Sequence, residues 1–400
     1  MATVGQDGGR VSLDHGRSEA PLEGSSTMSS ERRRARDLGI TIGRMPTGRF
    51  NAITDVAGVA VGHETIVRGE GPLVVGQGPV RTGVTIVCPH CDGSLSKDPV
   101  YAGYHQLNGN GEMTGVAWIN EGGLLTSPVA ITNTHSVGVV RDALIAFEVD
   151  RFPSGENEIT WGLPVVGETY DGWLSDINGF HVRPEHLFAA VEAASDGSVA
   201  EGNVGGGTGM NCHEFKGGIG TSSRVVPAEQ GGWTVGVLVQ ANYGARADLR
   251  VDGVPVGREI GPGEVPTPWP VEPLDGSIIV VVATDAPLLP HQCRRLAQRA
   301  TIGIARAGGH GSNGSGDLFL CFSTANRNLS VESLYEAIDV RALHAEALTP
   351  LFAAVAEATE EAIVNALCMA ETMTGAAGRT SHALPLDRLA QVMAKYGRLG

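Results

Sequence analysis

Four hundred residues with 42% apolar side chains are enough for one large domain or two ordinary ones. The net charge of -15, with basic residues clustered only at Arg32, Arg33, Arg34 and Arg36, excludes nucleic acid as the main partner. No apolar run reaches the roughly 18 residues of a membrane span and the N-terminus has no apolar signal core, so the sequence reads as a cytoplasmic protein without a membrane partner.

Met1 to about residue 35 is polar and rich in glycine and serine, and reads as a disordered extension. Short strands and turns are expected from Arg36 to Gly62, and a strand over Thr82–Cys88. The lone Cys88-Pro89-His90-Cys91 lacks the second ligand pair or thioredoxin-like context that a metal or redox role requires. Residues 92–112 read as turns with a short apolar or helical piece around Tyr101, Tyr104 and Leu107. Val116–Asn120 and Val129–Asn133 read as strands. Ser136 is the N-cap expected for a helix to about Glu148, and Pro184 opens another to about Ala194. After a glycine loop at 202–209, strands are expected around 213–226 and over Trp233–Asn242. A helix over Pro290–Arg306, a strand over Leu318–Ser323, a short helix near Ser333 and a closing helix over about His344–Met373 complete the order. Blocks of strands apolar on both faces, separated by helices, predict stacked sheets covered by helices.

The chain is organised around Gly276-Ser277, which leads into Ile278-Ile279-Val280-Val281-Val282. Six prolines (Pro255, Pro262, Pro266, Pro268, Pro270 and Pro273) precede this step, so its approach is neither helix nor central strand. A serine at the head of a core strand, with glycine before it, suits an N-terminal nucleophile made by self-cleavage. Taken alone, it also suits an ordinary junction between loop and strand. If the bond breaks, the freed α-amine, with an unperturbed pKa of roughly 7.7–8.0, stands beside the hydroxyl as its base. Asn242 ends an apolar strand and is a candidate oxyanion donor or a turn asparagine. Ser315 and Asp317 sit at the mouth of a strand, as a proton relay or a simple turn. Glu168 and Tyr170 lie in a glycine-punctuated stretch; a carboxylate there suits a substrate ammonium and a phenol suits developing charge, against the plain reading of a solvated loop. Gly309–Gly314 fits the G-x-G-x-x-G spacing but follows a helix and precedes a strand, the reverse of a dinucleotide site.

These stretches together resemble the DmpA-type family of self-cleaving aminopeptidases, which includes L-aminopeptidase/D-amino-acid esterases and β-aminopeptidases. The resemblance runs over Arg36–Gly62, Gly109–Glu121, Ile131–Gly138, Asn203–Gly220, Val239–Gly244, Gly276–Pro290 and Gly309–Asn326. It implies an α/β four-layer αββα sandwich like that of N-terminal nucleophile hydrolases with different connectivity. It implies one catalytic domain over 36–400, cut between Gly276 and Ser277 into α (1–276) and β (277–400) chains. Ser277 would be the nucleophile, Asn242 the oxyanion donor, Ser315 and Asp317 its support, and Glu168 and Tyr170 the substrate-facing pair. Some relatives carry glutamate at the position of Asp317. The substrate would be a small peptide or amino-acid amide, the assembly four αβ pairs, and no metal or organic cofactor is implied. An acyltransferase with the same nucleophile and an uncut binding protein on this scaffold are the alternatives.

Overall fold

Among the described residues, fourteen strands and seven helices alternate so that apolar runs meet face to face. The computed structural model describes residues 31–91, 93–153, 155, 160–269, 276–329, 335 and 337–400. The strands are β1 (Ala60–Arg68), β2 (Val80–Cys88), β3 (Val100–Gly109), β4 (Leu124–Leu125), β5 (Val129–Asn133), β6 (Val165–Thr169), β7 (Asn211–Cys212), β8 (Phe215–Lys216), β9 (Gly218–Val225), β10 (Thr234–Asn242), β11 (Ser277–Thr284), β12 (Gly316–Ser323), β13 (Met373–Thr374) and β14 (Thr380–Ser381). The helices are α1 (Val116–Gly122), α2 (Val137–Arg151), α3 (Pro184–Glu192), α4 (Val256–Glu259), α5 (Pro290–Arg306), α6 (Thr349–Met369) and α7 (Leu386–Lys395).

Two sheets dominate. One has the order β1-β2-β5-β6 and the other β4-β3-β12-β11-β10-β9. Side chains alternate across a strand, so each sheet feeds two cores. On β11, Ile279, Val281 and Ala283 join Val61, Val87, Ile131 and Val165 between the sheets. Ile278, Val280 and Val282 point the other way, onto Leu296 and Ala300 of α5 and Val355 and Ile363 of α6. The smaller sheet turns Val84, Ile86 and Ala130 outward onto Val140 and Leu144 of α2 and Leu187 of α3. The result is the expected four-layer αββα sandwich. In the larger sheet β11 pairs antiparallel with β10 and parallel with β12, so three strand ends meet beside Ser277.

Three local expectations are corrected. Val116–Asn120 is the start of helix α1, bounded by left-handed Gly115 and Gly123 and burying only Ile119, rather than a strand. The piece around Tyr101, Tyr104 and Leu107 belongs to strand β3; its spacing of three mimics a helix turn, but pairing with β12 decides its conformation. A further helix, α7, follows α6; its buried Leu386, Leu389, Val392 and Met393 carry a legible helical period. The order also starts before Arg36. Arg32 Nη1 donates to Leu384 O at 3.1 Å, Arg34 Nη2 to Thr221 O at 2.7 Å, and the Ala35 amide to Asn365 Oδ1 at 3.1 Å. The rest of the proposed extension, the approach at Pro270 and Pro273, and the short helix near Ser333 lie outside the described residues. None of the described helices is long and apolar enough to cross a membrane.

Candidate active site

Ser277 opens β11 and is 7% exposed. Strand alternation puts it on the same face as Ile279 and Val281, toward the space between the sheets. Its Oγ accepts the Gly316 amide at 3.2 Å from the parallel neighbour β12. Two glycines permit this crowding. A Cβ on Gly276 would lie 2.0 Å from the Asn242 carbonyl oxygen, and one on Gly316 would lie 2.5 Å from the Asn110 carbonyl oxygen. Glycine before the serine is therefore a packing requirement, independent of any cleavage chemistry.

Asn242 is the cross-strand partner of Ser277. Opposed residues of an antiparallel pair project to the same face, so the two side chains are neighbours. The Asn242 amide is oriented from both ends: Oδ1 accepts the Asn211 amide at 2.8 Å and Nδ2 donates to the Tyr170 carbonyl at 3.0 Å. Asn211 is a site residue that the sequence reading missed, although a polar residue straight after the glycine loop is a signal of a sort. It sits in the β7–β8 hairpin, whose turn residues His213 and Glu214 hold positive φ. Such a turn favours asparagine and glycine. Here the tip is tied down instead: the His213 amide donates to Tyr243 O at 2.7 Å and Glu214 Oε2 accepts the Arg246 amide at 3.0 Å.

Ser315 and Asp317 stand on the other side. Ser315 Oγ donates to Asp317 Oδ1 at 2.7 Å, and Asn108 Nδ2 donates to Asp317 Oδ2 at 3.0 Å. Asn108, in Asn108-Gly109-Asn110-Gly111 at the end of β3, was passed over as part of a turn. Burial raises the Asp317 carboxyl above the ordinary aspartate range, against the opposing pull of Ser315, Asn108 and the Ile278 amide. Asp317 pairs with Ile278 rather than with Ser277, so it faces the helical layer, toward Tyr243.

Glu168 comes from the smaller sheet. It is a buried strand residue of β6, 3% exposed, not part of a solvated loop. Its Oε1 accepts the Glu112 amide at 2.9 Å and its Oε2 accepts the Thr134 hydroxyl. Burial raises its carboxyl, and these two donors act against that. Glu168 Oε1 and Gly316 Cα both border Gly111, which places the carboxylate across the gap from the nucleophile's neighbour. Tyr170 follows the strand and is 44% exposed. Among the described residues its phenol makes no hydrogen bond; its carbonyl is what Asn242 meets. Tyr170, Trp173, Asn242, Trp269 and Gly276 line one cavity, with the two indoles edge to face at 5.6 Å. Tyr243, Asp248, Gly276, His310, Ser315 and Asp317 line a second.

A strand-end serine between paired sheets, with an amide donor on one neighbour strand and a serine–carboxylate pair on the other, is the arrangement of an N-terminal nucleophile hydrolase. The comparisons with known proteins agree. Residues 51–381 match the model of peptidase family S58, and the chain belongs to that family. It is 53% identical over 383 residues to β-peptidyl aminopeptidase BapA of Sphingosinicella microcystinivorans, covering 93% of this chain and 94% of that one. It is 46% identical to the protein of the same name from Sphingosinicella xenopeptidilytica, with 92% and 93% covered. A β-aminopeptidase structure from a Burkholderia species superposes with a TM-score of 0.84 at 51% identity, over 91% of this chain and 99% of that one. An L-aminopeptidase D-Ala-esterase/amidase structure from Ochrobactrum anthropi, described as a new variant of the Ntn hydrolase fold, also reaches 0.84, at 46% identity over 92% and 99%. The chain is an aminopeptidase of the hydrolase class.

Proposed function

We propose that this enzyme cuts its own Gly276–Ser277 bond and then uses Ser277 to release the N-terminal residue of peptides, amides or esters with a free amine. The observation that carries this reading is Ser277 Oγ at the head of β11, opposite Asn242 and 3.2 Å from the Gly316 amide. After cleavage, the α-amine of Ser277 takes the hydroxyl proton as Oγ attacks the substrate carbonyl. Asn242 Nδ2 and the backbone amides beside it hold the oxyanion. The leaving amine takes the proton as the C–N bond breaks, and water hydrolyses the acyl-enzyme by the same route. Ser315 and Asp317 orient the new N-terminus from the helix side, where Gly276 lay. Glu168 binds the substrate ammonium from the opposite sheet, and the exposed Tyr170 phenol faces the substrate from the cavity it shares with Asn242 and Gly276.

We infer further that the preferred N-terminal residue is a β-amino acid. The support is the activity named for the Sphingosinicella and Burkholderia relatives, which share about half of this chain's residues over nine-tenths of its length. The mature form is expected to be a tetramer of αβ pairs. Hydrolysis of β-amino-acid p-nitroanilides against L-α- and D-alanyl counterparts tests the substrate reading; a higher kcat/KM for an α-amino acid overturns it. Loss of both cleavage and hydrolysis in Ser277→Ala tests the nucleophile.

A further inference from the structure

Lys216, on β8, is fully buried at 0% exposure. A lone buried ammonium is costly, and such groups are usually paired with a carboxylate. Here backbone carbonyls take that place. Nζ donates to Met210 O and to Gly217 O, each at 2.8 Å, with Gly207 O at 3.5 Å. Burial pulls the group down to about 7, and the ionisable group acting against that is the Cys212 thiol.

The Met210 carbonyl belongs to the same peptide unit as the Asn211 amide, and that amide donates to Asn242 Oδ1 at 2.8 Å. One chain of hydrogen bonds thus runs from Lys216 Nζ through the Met210–Asn211 peptide to the Asn242 side chain, and from Nδ2 outward to the Tyr170 carbonyl at 3.0 Å. Each link polarises the next. Lys216 at the carbonyl end, most strongly in its protonated form, makes the peptide N–H a stronger donor. That N–H, bonded to Oδ1, makes Nδ2 a stronger donor in turn. It also forbids the flipped amide, which would set Nδ2 against the Asn211 N–H.

We propose that Lys216 is a positioning residue for the oxyanion donor, holding and polarising Asn242 through the Met210–Asn211 peptide. This rests on the reading of Asn242 as that donor, given above. A residue acting in this way matters only when negative charge develops on the substrate oxygen, so it affects kcat and leaves ground-state binding alone.

The test is a double-mutant cycle of Lys216→Met and Asn242→Ala, with rates normalised to the cleaved fraction from intact mass. Lys216→Met is expected to lower kcat by about 10-fold with KM little changed, and the double variant to be no slower than Asn242→Ala alone. Lys216→Gln, which can still donate to the carbonyls, is expected to recover part of the loss; if the Met variant does not fold, the Gln variant is combined with Asn242→Ala and judged by the same non-additivity. Additive losses, a loss confined to KM, or full activity in Lys216→Met with Asn242→Ala impaired would overturn the role of Lys216 alone. Full activity in Asn242→Ala would overturn the oxyanion reading, and this inference with it.

Discussion

The two sides of Gly276 are built from opposite chemistry. On the side facing the smaller sheet stand Asn242, Asn211 and Tyr170, and the groups nearest Ser277 there are neutral amides held by backbone partners. On the side facing the helices stand Ser315, Asp317 and Asn108, where a carboxylate gathers donors. The first suits charge developing on a substrate oxygen; the second suits a cationic amine. The proposed mechanism needs both, since it sets the Ser277 hydroxyl to work on one side and holds its α-amine on the other. Strand alternation explains how one short stretch serves both: Ser277 and Ile278 point to opposite faces, and β12 answers with Gly316 against the first and Asp317 against the second.

The difference can be broken at either side. Ser277→Ala removes the group common to both and is expected to lower activity about 10⁴-fold or more, leaving one uncut chain; steady-state hydrolysis and intact mass check it. Asn242→Ala breaks the neutral side alone and is expected to lower kcat about 10²–10³-fold with KM nearly unchanged. Asp317→Asn breaks the charged side, with an expected loss of about 10²-fold. Its pH profile sharpens the contrast. Burial raises the Asp317 carboxyl, so the wild-type rate falls as pH drops through that raised value and the acceptor is lost; the Asn variant is expected to lack this limb. Glu168→Gln, across the gap on the smaller sheet, leaves both sets of partners in place. It is expected to raise KM for free-amine substrates about 10–100-fold, with a smaller change in kcat.

The smallest effect lies behind the neutral side. The Asp171 carboxyl is fully buried beside Thr82 and Asn133; burial pushes it up to about 7, against the opposing pull of those two side chains. Its value in the unfolded chain is about 3.9. Between these values the folded form binds the additional proton, so its contribution to stability is lost as pH rises from about 4 to 7. Asp171→Asn is expected to flatten that slope, which thermal unfolding across this range measures; an unchanged slope assigns it elsewhere.

The parts of this site legible in the sequence are those carried by a local pattern. Ser277 stood out because an apolar β-branched run follows a glycine, and Asp317 because it closes a glycine-rich turn. Stacked sheets covered by helices were readable from strands apolar on both faces, and the four-layer order followed from the family resemblance. Asn211, Asn108 and Thr134 were not, because each matters through a partner far along the chain: Asn242, Asp317 and Glu168 respectively. Glu168 was found but placed in a glycine-punctuated loop rather than a strand, since its strand is five residues long and its burial comes from the opposite sheet. Val116–Asn120 reads as a strand for the converse reason: its alternation is apolar enough, yet two left-handed glycines enclose it and close a short helix.

The central claim is that Ser277 becomes a chain terminus. Intact mass and N-terminal sequencing of freshly purified protein test it directly. Two fragments are expected, the smaller beginning Ser277-Ile278-Ile279, in step with hydrolase activity. A single uncut chain that hydrolyses free-amine substrates at full rate would contradict the account.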